Sequence, residues 1–349
     1  MKKVKALYFF VGRSSFVNKD IEILEEKFIV EKFNFEFGAK WKIPFQLLGQ
    51  FLFLLVHIFS SQVIIIQLAG FHSVLPVLFS KLTGKRVVII AAGTDCHSFP
   101  SIGYGNYHKM FLSMATKFSF RNCSLIIPKH ESLWLSDYTY DSSDYNKQGI
   151  SYFIPEINTP HIVVENGFDS NRFKKTLPAK KNSFITISGL LERESQPKLK
   201  GIDLIIEAAK LLPDCSFTVL GINRDAVFKE LPENIKLVAK VPNDQLTDIL
   251  SQHQYYLQLS MAEGFPNALC EAMLCECIPI GSAVFSIPEI IGDTGYILKK
   301  RNSEELVDLI EKIQLIDNSM KGQMARKRIS ENYTLSKRKE KLLAILEKY

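Results

Sequence analysis

Tyr255-Tyr-Leu-Gln-Leu-Ser-Met-Ala-Glu263-Gly-Phe-Pro-Asn-Ala-Leu-Cys-Glu271-Ala-Met273 runs from an apolar strand through a turn into a helix. The YYLQLS run is apolar enough for a parallel strand covered on both faces. Gly264 permits the sharp turn that must follow. Pro266 suits the first helical turn, where its missing N–H costs nothing. Backbone amides at such a helix start point outward and bind anionic oxygens. Glu271 sits about one turn deeper, with Asn267 four residues before it on the same face. Two carboxylates bracketing an amide-rich turn fit a ligand with hydroxyls at both ends and phosphates between.

Outward from this segment, apolar runs alternate with helical patterns along the whole chain. KALYFFV, IVEKFNF, VIIIQLA, RVVIIAAG and SLIIP are the predicted strands of the first half. FITISG, SFTVLG, IKLVAKV, YYLQLS, IPIGS and GYILKK are those of the second, with helices at IDLIIEAAKLL, DAVFKEL, NDQLTDIL and NALCEAML. Strands alternating with helices imply parallel sheets with right-handed crossovers. The expected architecture is α/β, with two Rossmann-like doubly wound domains, residues 1–162 and 163–331, facing a central cleft. A terminal helix, 332–349, is expected to pack back on the first domain. Ligands of such sheets bind at the carboxyl ends of the strands, so the cleft is the expected active site.

Composition excludes several classes. A length of 349 residues with 46% hydrophobic and 23% charged content suits two ordinary cores. The net charge of +6 is accounted for by Lys321–Tyr349, with nine Lys/Arg against three Asp/Glu. A solvated helical tail explains that better than a nucleic-acid face, which interleaves cations with aromatics. The N-terminal apolar run stops at Val11 without a small-residue cleavage site and reads as a strand. Six scattered Cys form no C-x-x-C pair, as expected of free thiols in a reducing cytoplasm. No D-x-D motif suggests a metal, and no G-x-G-x-x-G opens either half, which argues against a nicotinamide dehydrogenase.

From Ile43 to Ser80 there is no Asp, Glu, Lys or Arg. Gln46, Gln50, His57, Gln62 and Gln67 interrupt the stretch, and Pro44, Gly49, Gly70 and Pro76 punctuate it. The pattern reads as a helix over about 44–59, a buried strand over 63–68 and a helix over 72–82. The first helix, LLGQFLFLLVHIF, is apolar nearly all round and is expected to pack against the sheet and its neighbours. The alternative is peripheral contact with the inner face of a membrane, which would suit a lipid-linked acceptor.

The Glu263–Glu271 segment resembles the E-x7-E signature of the family-4 retaining glycosyltransferases of the GT-B fold. NGFD (166–169) resembles the family's N-G-V-D, and KGID (200–203) its K-G-x-D helix start. IPIGSAVFSIPEIIGDTGYIL is similar to its G-x-P-E-I-I segment. The resemblance covers the second half nearly end to end and the first half only loosely. It implies a nucleotide-sugar donor, a saccharide or lipid-linked saccharide acceptor, and no cofactor or metal. Glu271 would bond the ribose hydroxyls. Glu263 would bond the transferred sugar, with the backbone of Phe265, Pro266 and Asn267. Lys200 would neutralise the diphosphate, and Val241 would lie beside the base. A cation at a helix start is unfavourable unless an anion binds there, which favours that role for Lys200.

The family pattern breaks in two places. An arginine commonly follows the glycine that Gly189 matches, whereas Leu190 stands here. Arg193 is the candidate substitute, and a plain surface arginine is the competing reading. Ala92 replaces a histidine before Gly93-Thr94-Asp95-Cys96-His97, leaving Asp95 and His97 as candidates for facing sugar or acceptor. Gly12 resembles the glycine loop that approaches the diphosphate, and a simple strand-to-helix turn is its alternative. His72 is an acceptor-side candidate or a core histidine. Retention by double displacement would need a carboxylate at the anomeric carbon, and none is evident. A front-face route, in which the leaving diphosphate takes the acceptor proton, is therefore expected. The alternatives are a sugar phosphorylase or sugar-nucleotide epimerase on the same scaffold, or a membrane-associated scaffold with a relic site.

Overall fold

A computed structural model describes residues 3–37, 40–188, 196–222, 228 and 230–348. The first lobe is built on β1 (Val4–Val11), β2 (Phe28–Phe35), β3 (Ser61–Gln67), β4 (Arg86–Ala91) and the strand Leu125–Pro128. They pair parallel in the order β2-β1-β3-β4-Leu125–Pro128. Interior strands such as VIIIQ and VVIIA are apolar at nearly every position because helices cover both faces. One face packs α1 (Ser15–Glu25) and the last helix, Leu335–Lys348, whose Leu342, Leu343 and Leu346 enter the core beside Tyr8 and Ile65. The other packs α2 (Ile43–His57), α3 (Phe71–Thr83) and α4 (Met110–Asn122) around Phe9, Ile64 and Ile89.

The second lobe is a six-stranded parallel sheet. From edge to edge it runs Ile235–Val238, Ser216–Leu220, Lys180–Ile187, His253–Gln258, Ile278–Ser282 and Tyr296–Leu298. In both sheets chain order reverses beside the first strand, the point where the helix starts diverge and a ligand crevice opens. The two-lobed GT-B architecture expected from the sequence is therefore present. The expected helix at DAVFKEL lies largely outside the described residues.

The chain crosses between lobes twice at one place. Phe168 N–H donates to Tyr333 O (2.9 Å) and Leu335 N–H to Phe168 O (3.0 Å). A Cβ on Gly167 would lie 2.7 Å from Leu335 Cα, so the two crossings touch through bare backbone. Arg338, buried, clamps them: it donates to Asp20 Oδ1 (3.0 and 2.7 Å), Val164 O (3.0 Å) and Glu165 O (2.8 Å). The NGFD motif is thus the hinge.

The expectation for α2 is corrected. Only Gln50 and Leu54 of its residues are buried, while Phe45 is 67% and Val56 72% exposed. The helix meets the sheet along one narrow stripe because Phe53 packs on Phe9 and Phe33 (5.7 and 5.4 Å) and little else reaches inward.

Candidate donor site in the cleft

Glu263 lies five residues past the strand His253–Gln258, at its carboxyl end. Its Oε1 accepts from Ser260 Oγ (2.9 Å), Gln258 Nε2 (3.2 Å) and Lys200 Nζ. Lys200 closes the short helix Gln196–Lys200 rather than opening a helix, and Met261 N–H donates to Leu199 O (2.8 Å), tying the two segments together. Gly201, at φ +70°, then turns the chain into the helix Ile202–Leu211. A Cβ there would sit 2.4 Å from Leu259 O. Only glycine tolerates both demands, so the K-G pair is what presses the ammonium against Glu263. The anion that Lys200 meets in this structure is that carboxylate.

Glu263-Gly264 abuts the other lobe directly. A Cβ on Gly264 would fall 1.8 Å from Ala92 O, and Gly264 O accepts from Ser286 Oγ (2.9 Å). Pro266 is the residue before the helix, at φ −73° and ψ 105°, not its first residue, and has no N–H to give. The helix Asn267–Leu274 starts with no side-chain cap, leaving its first amides without intrahelical partners. Such an end is an anion site. Asn267 Oδ1 accepts from Asn166 Nδ2 of the hinge (2.8 Å). The Phe265 ring is buried against Phe168 and Tyr333 and braces the turn.

Glu271 lies one turn into this helix, and its carboxyl group has no hydrogen-bond partner among the described residues. Burial raises its pKa to about 6, against the fields of Lys19 and Arg172, which lower it. A mostly buried carboxyl that awaits a donor suits a hydroxyl ligand. Val241, half-buried on the second core, follows the strand Ile235–Val238 by three residues. Gly189 and Arg193 lie outside the described residues. Among the described residues no group of three His, Cys, Asp or Glu could hold a metal ion, and all six Cys are buried and unpaired.

The first-lobe candidates are placed differently. Asp95 is wholly buried and accepts the amides of Ala69 (3.0 Å), Ala92 and Gly93 (both 3.1 Å). It holds two loops together, and burial with three backbone amides leaves it turned away from the cleft rather than facing a sugar or acceptor. Of the two readings of His72 the core one fits the structure: its Nε2 lies 3.0 Å from Gln67 O inside the core, and burial lowers its pKa to about 4. His97 is sealed from solvent, stacked 4.0 Å from Phe285 of the other lobe, with its pKa lowered to about 3 by burial. No acceptor reaches it while the lobes are closed. Gly12, at φ +65°, turns β1 into α1 at the cleft edge, where its N–H donates to Asn34 Oδ1 (2.9 Å).

Three groups were not foreseen. Lys129 follows the strand Leu125–Pro128, 2% exposed and 3.8 Å over the Phe16 ring, and burial lowers its pKa to about 7. His130 beside it bridges the lobes through Nε2 to Glu289 Oε2 (3.0 Å). Lys19 on α1 directs its field at Glu271 and lies 5.2 Å over Phe168. Their signal was position: Lys129 and His130 directly follow a strand, and Lys19 lies in the second turn of α1, the helix after β1.

Two facing Rossmann-like lobes with a lysine, two glutamates and an open helix start on the second define the GT-B class. Residues 168–334, nearly the whole of this lobe, match the family described as glycosyl transferases group 1. The chain is 26% identical over 161 residues to a phosphatidylinositol N-acetylglucosaminyltransferase subunit of Arabidopsis thaliana, covering 43% of this chain and 36% of that one. It is 28% identical over 164 residues to N-acetyl-alpha-D-glucosaminyl L-malate synthase of Bacillus anthracis, covering 43% and 42%. The match thus spans about two fifths of these relatives or less. Among solved structures, sucrose-phosphate synthase from Thermosynechococcus elongatus superposes with a TM-score of 0.73 at 13% identity, over 99% of this chain and 98% of that one. Anabaena HepE in complex with UDP and glucose does so at 0.67 and 17%, over 98% and 100%.

Proposed function

We propose that the protein transfers a sugar from a nucleoside diphosphate to an acceptor hydroxyl with retention of anomeric configuration. The observation that carries this reading is the convergence of Lys200, Glu263, Glu271 and the uncapped start of Asn267–Leu274 on one cleft edge. Glu271 takes the ribose hydroxyls, and Glu263 the hydroxyls of the sugar while it orients Lys200. Lys200 and the helix amides stabilise the charge that grows on the leaving diphosphate. That leaving group accepts the acceptor's proton on the front face, since Glu263 and Glu271, the cleft carboxylates among the described residues, are assigned to the sugar and ribose hydroxyls. With Lys200 carrying the phosphate charge, the reaction is expected to survive excess EDTA.

The names of the relatives support N-acetylglucosamine as the sugar, and the bound UDP of the HepE structure supports uridine as the base, of the first donors to assay. A saccharide or lipid-linked saccharide is the acceptor class, used in the cytoplasm or at the inner face of the membrane in making a surface polysaccharide or glycolipid. Release of nucleoside diphosphate is the test. Acceptor-dependent release, with an α-linked product from an α-linked donor, is expected. Release that needs inorganic phosphate, or interconversion of donors without release, would replace this reading with a phosphorylase or an epimerase.

A further inference from the structure

The outer face of α2, α3 and α4 carries one continuous unpartnered apolar surface. Trp41, Phe45, Leu52, Val56 and Phe59 project from α2 and its flanks at 52–74% exposure. Leu82 of α3 (82%) and Met110, Phe111 and Met114 of α4 (61–68%) extend it. The three helices are neighbours: Phe51 packs on Phe79 (5.5 Å), Gln50 Nε2 donates to His72 O (2.7 Å), and Ser73 Oγ donates to Ser119 Oγ (2.7 Å). A soluble monomer rarely exposes such a patch without a partner for it.

Charge identifies that partner. Between Lys40 and His130 the only acidic residue is Asp95, which is wholly buried. Lys42, Lys81, Lys85, Lys109, Lys117 and Arg121 rim the face. None of them has an acidic partner among the described residues. We infer that this face docks on an anionic phospholipid surface, with the aromatic and aliphatic side chains in the interfacial layer and the cations at the headgroups. A second copy of the chain fits poorly, because a two-fold contact would bring the two cationic rims together.

The segment Ile43–Ser60 has the length and hydropathy to cross a bilayer. It lies on the surface instead: Gln50 and Leu54 anchor it in the lobe, and Ser61 leads straight into β3. Topology sets the orientation. α2 precedes β3 and runs antiparallel to it, while α3 and α4 start near the carboxyl ends of β3 and β4. Trp41, Phe45, Met110 and Phe111 therefore sit towards the cleft edge, and Phe59 and Leu82 sit away from it. A docked molecule presents its cleft edge to the membrane, where an acceptor with a lipid tail is met. The docking itself does not rest on the chemistry proposed above.

Co-sedimentation of the full chain with phosphatidylcholine vesicles, with and without phosphatidylglycerol, tests this. Pelleting is expected with the anionic vesicles, more than about tenfold stronger than with neutral ones and weakened by salt. The fluorescence of Trp41, one of two tryptophans, shifts to the blue on docking. Phe45→Glu/Leu52→Glu/Val56→Glu, all at exposed positions, abolishes pelleting, and Lys109→Glu/Arg121→Glu weakens it. Both keep the wild-type melting temperature and donor binding. Three results overturn the inference: wild-type protein left in the supernatant with anionic vesicles, equal pelleting by the triple variant, or a solution dimer that the triple variant converts to monomer.

Discussion

The two lobes bring polar groups to the same cleft for different ends. In the second lobe, Lys200, Glu263 and Glu271 stand at strand and helix ends with their ionisable atoms towards the cleft, and Glu271 has no hydrogen-bond partner among the described residues. In the first, Asp95, His72 and His97 are turned inward, and their hydrogen bonds or stacking go to the lobe's own backbone or to the opposing wall. The same kind of residue at the same kind of strand end thus turns to the cleft in one lobe and to a loop in the other. Asp95 and His72 are set apart by full burial with a backbone partner, and His97 by full burial against Phe285.

Substitutions that exchange activity for stability break the comparison most sharply. Lys200→Ala is expected to lower kcat with a nucleotide sugar by about 10²–10³-fold, the usual cost of removing a charge stabiliser from a developing anion. Its melting temperature changes little, since Lys200 is part-exposed. Glu271→Ala should weaken donor binding by about 1.5–3 kcal/mol, roughly tenfold to a hundredfold, as read by calorimetry. Asp95→Asn should do the reverse. It turns an amide N–H towards backbone N–H groups and costs about 1–3 kcal/mol of folding stability in denaturant titration. Turnover of the folded fraction stays within a few-fold. Collapse of turnover with stability intact would return Asp95 to the chemistry.

A smaller effect sharpens the second-lobe half of the contrast. With its pKa near 6, Glu271 is half protonated at pH 6 and cannot accept both ribose hydroxyls below it. Affinity for a nucleotide sugar should fall about tenfold between pH 7 and pH 5. Stability moves the other way: the folded pKa is raised above the ordinary 4.5, so this group favours folding at pH 4.5 and below and loses that contribution as pH rises through 6. Glu271→Gln should flatten both trends.

The same contrast explains what could be read from sequence. Apolar runs of parallel strands and the spacing of Gly201, Gly264 and the two glutamates are local features, so the second lobe and its candidate site are legible. The first lobe's loops were not, because Asp95 and His72 are defined by contacts with Ala69 and Gln67 more than one element away or buried in a turn. Lys129, His130 and Lys19 reach the cleft only once both sheets are assembled. The outer face of α2 misled for the opposite reason. Uniform apolarity predicts burial, and nothing local to that helix records that no protein element covers it.

The most direct test is the structure of the protein with an intact nucleotide sugar bound. The account predicts ribose hydroxyls on Glu271, phosphate oxygens at the amides of Asn267–Leu269 and within reach of Lys200, and sugar hydroxyls on Glu263. A donor seated elsewhere, with Lys200 still held by Glu263 and Glu271 remote from the ribose, would contradict it.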